Sequence, residues 1–188
     1  MIKEYFKSFE VFSEDEITGF VQLFEFRKLK KNDFFVNEGE KCNEIAFIKS
    51  GIFRSYYISP EGFDITYCFR FPNDLLASYS SFITGNASVE TLQAISNADL
   101  LVVKKDAIEK IMHQSFSWTR FLKIVAEQQY LELEKRVFQL QNETAVQKYI
   151  SLLENQPEYL QKIPLHYLAS YLGITQRHLS RIRKEITF

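Results

Sequence analysis

Residues 165–184 read LHYLASYLGITQRHLSRIRK, and the spacing of small, flexible and apolar residues in this stretch predicts a helix-turn-helix. Counted from Leu165, Ala169 stands fifth, Gly173 ninth, Leu179 fifteenth and Ile182 eighteenth. The fifth place must be small because the second helix crosses close over the first. The ninth needs a positive φ in the turn, which glycine adopts without strain. Leu168, Leu172, Ile174, Leu179 and Ile182 supply a core between the helices. Thr175 suits the N-cap of the second helix. Its exposed face would then carry Gln176, Arg177, Ser180, Arg181 and Lys184, with Arg183 beside them. Arg can bond a guanine edge with two donors, Gln an adenine edge, and Ser or Lys a phosphate. Thr175, Gln176, Arg177, Ser180, Arg181, Arg183 and Lys184 are therefore the candidate DNA-binding residues. A helical hairpin with a merely solvated basic face is the plainer alternative, and charge alone would not exclude it.

Outward from this stretch, charge is unevenly divided. The 188 residues carry a formal net charge of −1, from 23 Lys and Arg against 24 Asp and Glu. Residues 162–188 hold five of the bases and one acid, a net of +4, which leaves −5 for residues 1–161. A near-neutral total argues against coating of nucleic acid or membrane by the whole surface, but not against contact through one small basic face.

The preceding chain changes character twice. Residues 1–26 read as helical, with a capping box at Ser13-x-x-Glu16 followed by Ile17, Phe20, Val21 and Phe24. Residues 28–105 read as short strands between turns, among them 34–36, 45–48, 52–58 and 63–71, with a hairpin at Pro60-Glu61-Gly62. Many short strands imply an antiparallel β-roll, jelly-roll-like or double-stranded β-helix. Residues 106–141 read mostly as one long helix, on which Trp118, Leu122, Val125, Gln129, Leu133, Val137 and Leu140 recur every three or four residues. A helix apolar on several faces needs two packing partners. One is the roll; the other is the same helix of a second subunit, unless a single domain buries every face. Residues 144–188 read as a small helical unit, opened by a capping box at Thr144-x-x-Gln147 and interrupted at Pro157. The expected class is thus α+β: a roll with its N-terminal helices over 1–110, a long dimerisation helix over 111–142, and a helix-turn-helix domain over 143–188.

Other chemistries find little support. No stretch reaches the ~18 consecutive apolar residues needed to span a bilayer, and no signal-peptide run opens the chain. Two cysteines, Cys42 and Cys68, do not make a disulfide framework and fit a cytoplasmic protein. The three histidines, His113, His166 and His178, have no metal-ligand spacing. No phosphate loop or nucleophile motif is present. Neither an enzyme, a metal nor a cofactor is expected.

The string 167–184, together with "VNEGE" at 36–40 and "IAFIKSG" at 45–51, resembles bacterial transcription regulators of the Crp/Fnr type, particularly short members common in Bacteroidetes. The roll strings are similar to the glycine pattern of the cyclic-nucleotide-binding domain. The resemblance implies a homodimer joined through the long helix, on a near-palindromic site in double-stranded DNA, with RNA polymerase as a further partner. Gln176, Arg177 and Arg181 fall on base-reading places; at the place of Arg177 the best-known members carry Glu, so sequence preference should differ.

Two departures from the family pattern stand out. Cyclic-nucleotide binders hold the ligand in a cassette with a Gly-Glu pair and, some ten residues later, an Arg that pairs with the cyclic phosphate. Here Ser78 falls near the Glu place and Ser88 near the Arg place, and no Arg or Lys lies between Arg70 and Lys104. Useful cAMP or cGMP binding is not expected. Ser78, Tyr79, Ser80, Ser81 and Ser88 could line a pocket for another small-molecule effector, or simply pack the degenerate cassette. The sequence also ends at Phe188, leaving no residues here for the β-wing that follows the recognition helix in many relatives. Iron–sulfur chemistry lacks its four clustered cysteines, and His113, a conceivable haem ligand, is more simply a surface or capping residue. The alternative from another class is a ligand-binding signalling module whose C-terminal helices bind a protein.

Overall fold

The computed structural model describes residues 1–112 and 115–186. Its elements are α1 (Ile2–Lys7), α2 (Glu14–Val21), β1 (Glu25–Leu29), β2 (Phe34–Val36), β3 (Glu44–Ser50), β4 (Phe53–Ile58), β5 (Asp64–Arg70), β6 (Leu75–Leu76), α3 (Tyr79–Thr84), β7 (Thr91–Ala94), β8 (Ala98–Lys104), α4 (Lys105–Met112), α5 (Phe116–Asn142), α6 (Ala145–Asn155), α7 (Pro157–Lys162), α8 (Leu165–Leu172) and α9 (Gln176–Ile186). The class is the expected mixture of helices with an antiparallel roll, a long helix and a C-terminal helix-turn-helix. The chain forms two compact units: Met1–Ser55 with Phe69–Glu127, and Tyr56–Cys68 with Gln128–Phe188.

The strands form two four-stranded sheets, ordered β1-β8-β3-β6 and β2-β7-β4-β5. β3 and β8 run antiparallel, pairing Ala46 with Val102 and Phe47 with Leu101. Strand side chains alternate between faces. Ala46, Ile48, Leu100 and Val102 therefore enter the roll interior with Phe53, Leu76, Leu92 and Ala94. Phe47 and Leu101 face the other way and join a second cluster with Phe6, Ile17, Phe20, Trp118 and Phe121. Arg27 of β1 reaches Glu44 of β3 with two hydrogen bonds, 2.6 and 3.0 Å, so the two strands flanking β8 are tied by a fork-shaped ion pair.

The caps form as the sequence predicts. Ser13 accepts from the Glu16 amide while the Glu16 carboxylate accepts from the Ser13 amide at 2.9 Å. That backbone bond, with another from the Ser115 hydroxyl, holds the Glu16 carboxyl below its usual range. Thr144 and Gln147 repeat the box at α6. Pro157 occupies the first turn of α7, where its missing N–H costs nothing.

Two expectations are corrected. Glu25 and Phe26, read as the end of a helical segment, open β1, because pairing with Val102 and Leu101 outweighs the local helical pattern. Residues 79–84, read within a strand region, form α3, which starts after Ser78 and ends at Gly85 in the left-handed conformation. A single turn-and-a-half of helix is too short for apolar periodicity to reveal.

Gly51 separates β3 from β4 with φ +95°, and a Cβ there would sit 2.5 Å from Ala98 Cβ and 2.7 Å from the Asn97 carbonyl oxygen. Gly51→Ala is therefore expected to cost about 2–4 kcal/mol, seen as a lower urea midpoint with an unchanged m-value.

Candidate nucleic-acid interface and ligand cassette

The helix-turn-helix belongs to the second unit. Gly173 ends α8 at φ 70°, ψ 32°. The left-handed turn lets the Ile174 amide bond back to the Ala169 carbonyl at 3.0 Å. Ala169 is buried, as the close crossing requires, with Leu168, Leu172, Leu179 and Ile182; Ile174 is half-buried. Thr175 caps α9, its hydroxyl accepting from the His178 amide at 3.2 Å.

With ~100° per residue, Gln176, Arg177, Ser180, Arg181 and Lys184 fall within about 140° of arc, opposite the buried Leu179 and Ile182. Gln176, Arg177, Arg181 and Lys184 are exposed; Ser180 is half-buried. Arg183 is exposed but falls about 20° outside this arc, and Thr175 is the exposed N-cap at the start of α9. Arg181 Nε lies 3.7 Å from Glu185 Oε1, an exposed pair one turn apart. Such a pair holds its partners weakly, so the guanidinium is available to a stronger acceptor. The face thus offers forked and linear donors on one side of a helix whose other side is locked into a core.

The cassette residues lie in the first unit, around α3. Ser78, Ser81 and Ser88 are buried, Tyr79 is half-buried and Ser80 is exposed. Ser88 Oγ lies 2.8 Å from Ser78 Oγ and donates to the Glu90 carbonyl at 2.7 Å. A hydroxyl has one proton, so Ser78 is the donor across the pair. Ser81 donates to the Asn86 carbonyl at 2.6 Å and accepts from the Cys42 amide at 3.0 Å. Burial raises the Tyr79 phenol above its usual range, and likewise the Cys42 thiol. The three buried hydroxyls therefore spend their bonds on the protein itself.

Some contributors were missed from sequence. Lys105 donates to the Phe82 carbonyl and lies 5.3 Å from the Phe82 ring, so a cation reaches the cassette from α4 rather than from within it. Arg54, buried on β4, donates from Nε to Gln93 Oε1 of β7 at 2.9 Å. Nothing in the local pattern announces either contact, since each joins residues more than twenty positions apart. Among the described residues, no group of three His, Cys, Asp or Glu is placed to hold a metal, and no helix is long and apolar enough to cross a membrane. His113 lies outside the described residues.

Residues 26–115 match the family model of the cyclic nucleotide-binding domain. The chain as a whole has the fold of Crp/Fnr-type transcription regulators. It is similar to FixK2 from Bradyrhizobium japonicum, at 19% identity and TM-score 0.77, over 87% of this chain and 84% of that one. A chain from Eubacterium rectale assigned to the crp/fnr family of transcriptional regulators is similar over 98% and 88%, at 19% identity and TM-score 0.75. The catabolite activator protein of Thermus thermophilus is similar over 93% and 84%, at 16% identity and TM-score 0.60. At these identities the likeness is one of fold. No curated protein matches the sequence.

Thr175→Ala removes the cap that starts α9. It is expected to destabilise the second unit by about 0.5–2 kcal/mol, measured as a lower midpoint in thermal unfolding followed at the helical circular-dichroism band.

Proposed function

We propose that this chain is a sequence-specific DNA-binding transcription regulator that works as a homodimer and does not answer to cAMP. The observation that carries the reading is the exposed face of α9. Gln176, Arg177, Arg181 and Lys184 stand together on the second helix of a helix-turn-helix, opposite its buried side. In this motif the second helix enters the major groove and its N-terminal half approaches the base edges. Gln176, Arg177 and Arg181 are assigned to bases, and Thr175, Ser180, Arg183 and Lys184 to phosphates or to positioning. A body of net charge −5 disfavours broad contact with DNA, which concentrates binding on this face.

Dimerisation is supported by the second half of α5. Tyr130, Leu133, Val137 and Leu140 recur at spacings of three and four and are all exposed. Such a stripe matches the a/d seam of a two-stranded coiled coil. A symmetric pair would present two recognition helices to two half-sites about one DNA turn, roughly 34 Å, apart.

The proposed silence toward cyclic nucleotides rests on the cassette. Ser78 and Ser88, near the places where relatives carry Glu and Arg, are buried and bonded to each other. Replacing a charge-assisted bond to phosphate by a neutral hydroxyl costs about 1.5–3 kcal/mol, roughly tenfold to a hundredfold in affinity.

Selection of bound duplexes from a random pool is expected to enrich a near-palindrome, and enrichment of no sequence overturns the DNA reading. On the selected site, Arg181→Ala should weaken binding by about 1–3 kcal/mol and relax one base position per half-site; an unchanged gel-shift affinity shows that the recognition face is misassigned. Isothermal titration with cAMP should give no binding in the micromolar range, and micromolar binding refutes that part of the proposal.

A further inference from the structure

Ser170 and Tyr171 are neighbours on α8, and each fastens that helix to a different element of the second unit. The Ser170 hydroxyl accepts from the Thr66 amide at 2.8 Å and donates to the Asp64 carbonyl, also at 2.8 Å. Both groups belong to β5, the outermost strand of its sheet. They are the pair that a residue of a neighbouring parallel strand would engage opposite Ile65. One helical side chain thus does the work of a strand at the β4–β5 hairpin edge. Tyr171 is held from the long helix. The Arg136 guanidinium of α5 stacks over the Tyr171 ring, 3.9 Å from its centroid, and Nη2 donates to the Tyr171 carbonyl. Burial in this setting raises the Tyr171 phenol above its usual range.

Neither fastening touches the recognition face. The groups engaged are on α8, whereas Gln176, Arg177, Arg181 and Lys184 of α9 remain exposed. The contacts therefore do not mask the DNA-reading residues. They remove freedom from the helix on which α9 is packed through Leu172, Leu179 and Ile182.

We propose that Ser170, clasping the edge of β5, is a positioning residue that presets the recognition helix for DNA, with Arg136 on Tyr171 as the second fastening. The proposal rests on the DNA-binding reading of α9. A helix fixed before binding has less disorder to lose on docking. Loss of the clasp should therefore weaken DNA binding without changing which bases are read.

The test uses the full chain as wild type, Ser170→Ala and Ser170→Thr, with Arg136→Ala as a second route. Alanine is the best helix former, so Ser170→Ala should keep the helical signal. Two readouts are needed: hydrogen exchange at the Thr66 amide without DNA, and anisotropy titration of a selected duplex. Ser170→Ala is expected to exchange faster at Thr66 and to bind DNA about three- to tenfold more weakly. Ser170→Thr, which keeps the hydroxyl, should restore both, and Arg136→Ala should weaken binding while leaving Thr66 protected. Unchanged exchange in Ser170→Ala shows that the clasp is absent. Faster exchange with equal or tighter DNA binding shows that it does not preset the helix; either result overturns the proposal. Failure of the wild type to bind any selected duplex overturns the DNA reading itself, which a wild type that binds beside an unaffected Ser170→Ala leaves intact.

Discussion

Phe47 sets the terms for the first unit. It stands on the outer face of β3, paired with Leu101, yet is completely buried. An aromatic ring on the outside of a sheet must be covered by another layer. α1, α2 and the start of α5 supply that layer through a nest of rings. Tyr5 lies 5.4 Å from Phe47, Phe9 4.8 Å from Phe121, and Phe20 4.3 Å from Trp118. Edge-to-face pairs add about 0.5–1.5 kcal/mol each beyond their buried area. Exposed ion pairs contribute a median of about 0–1 kcal/mol each. Ring packing, not surface charge, therefore holds these helices on the sheet. Removing the nest would leave Phe47, Leu101 and Leu75 facing water.

That requirement divides the long helix. Trp118 and Phe121 are buried, and Leu122 and Val125 pack beside them. From residue 130 onward the large apolar side chains are exposed: Tyr130, Leu131, Leu133, Val137, Phe138 and Leu140. One continuous helix thus has an N-terminal half whose apolar surface is satisfied within the chain and a C-terminal half whose apolar surface is not. A monomer gains nothing from six such residues on a solvated helix. Leu131 and Phe138 also lie on a different side from the Tyr130–Leu140 stripe, about 130° away around the axis, so the exposed surface is broader than a single seam.

Where a signal is local, the sequence is readable. Ser13 with Glu16 and Thr144 with Gln147 announce two helix starts because the two members of each box lie three residues apart. The helix-turn-helix is legible for the same reason: Ala169, Gly173 and Thr175 each answer a steric or hydrogen-bonding need within one short segment. The cassette is partly legible. Its missing Arg and Glu can be counted, but the Ser78–Ser88 pair depends on how α3 and the start of β7 approach. Lys105, Arg54 and Ser170 were silent for a plainer reason. Their partners are set by folding over 23, 39 and 104–106 positions, and serine or lysine on a helix has no pattern that singles it out.

The β4–β5 hairpin shows why linear reading stops there. Pro60 and Gly62 mark its turn correctly, with Gly62 bonding back to the Ser59 carbonyl at 2.8 Å. Yet residues 56–68 cluster with 128–188, not with the strands on either side of them in the chain. The turn chemistry fixes that a hairpin forms; it carries no information about which later element will meet its edge. An edge strand must hide its unpaired amides and carbonyls or invite association. Here a hydroxyl about a hundred residues later meets two of those groups, so the same bonds that quiet an exposed strand also anchor the first helix of the helix-turn-helix. A stability need of the sheet and a positioning need of the helix are met by one side chain, which is why Ser170 can matter more than its small size and modest burial suggest.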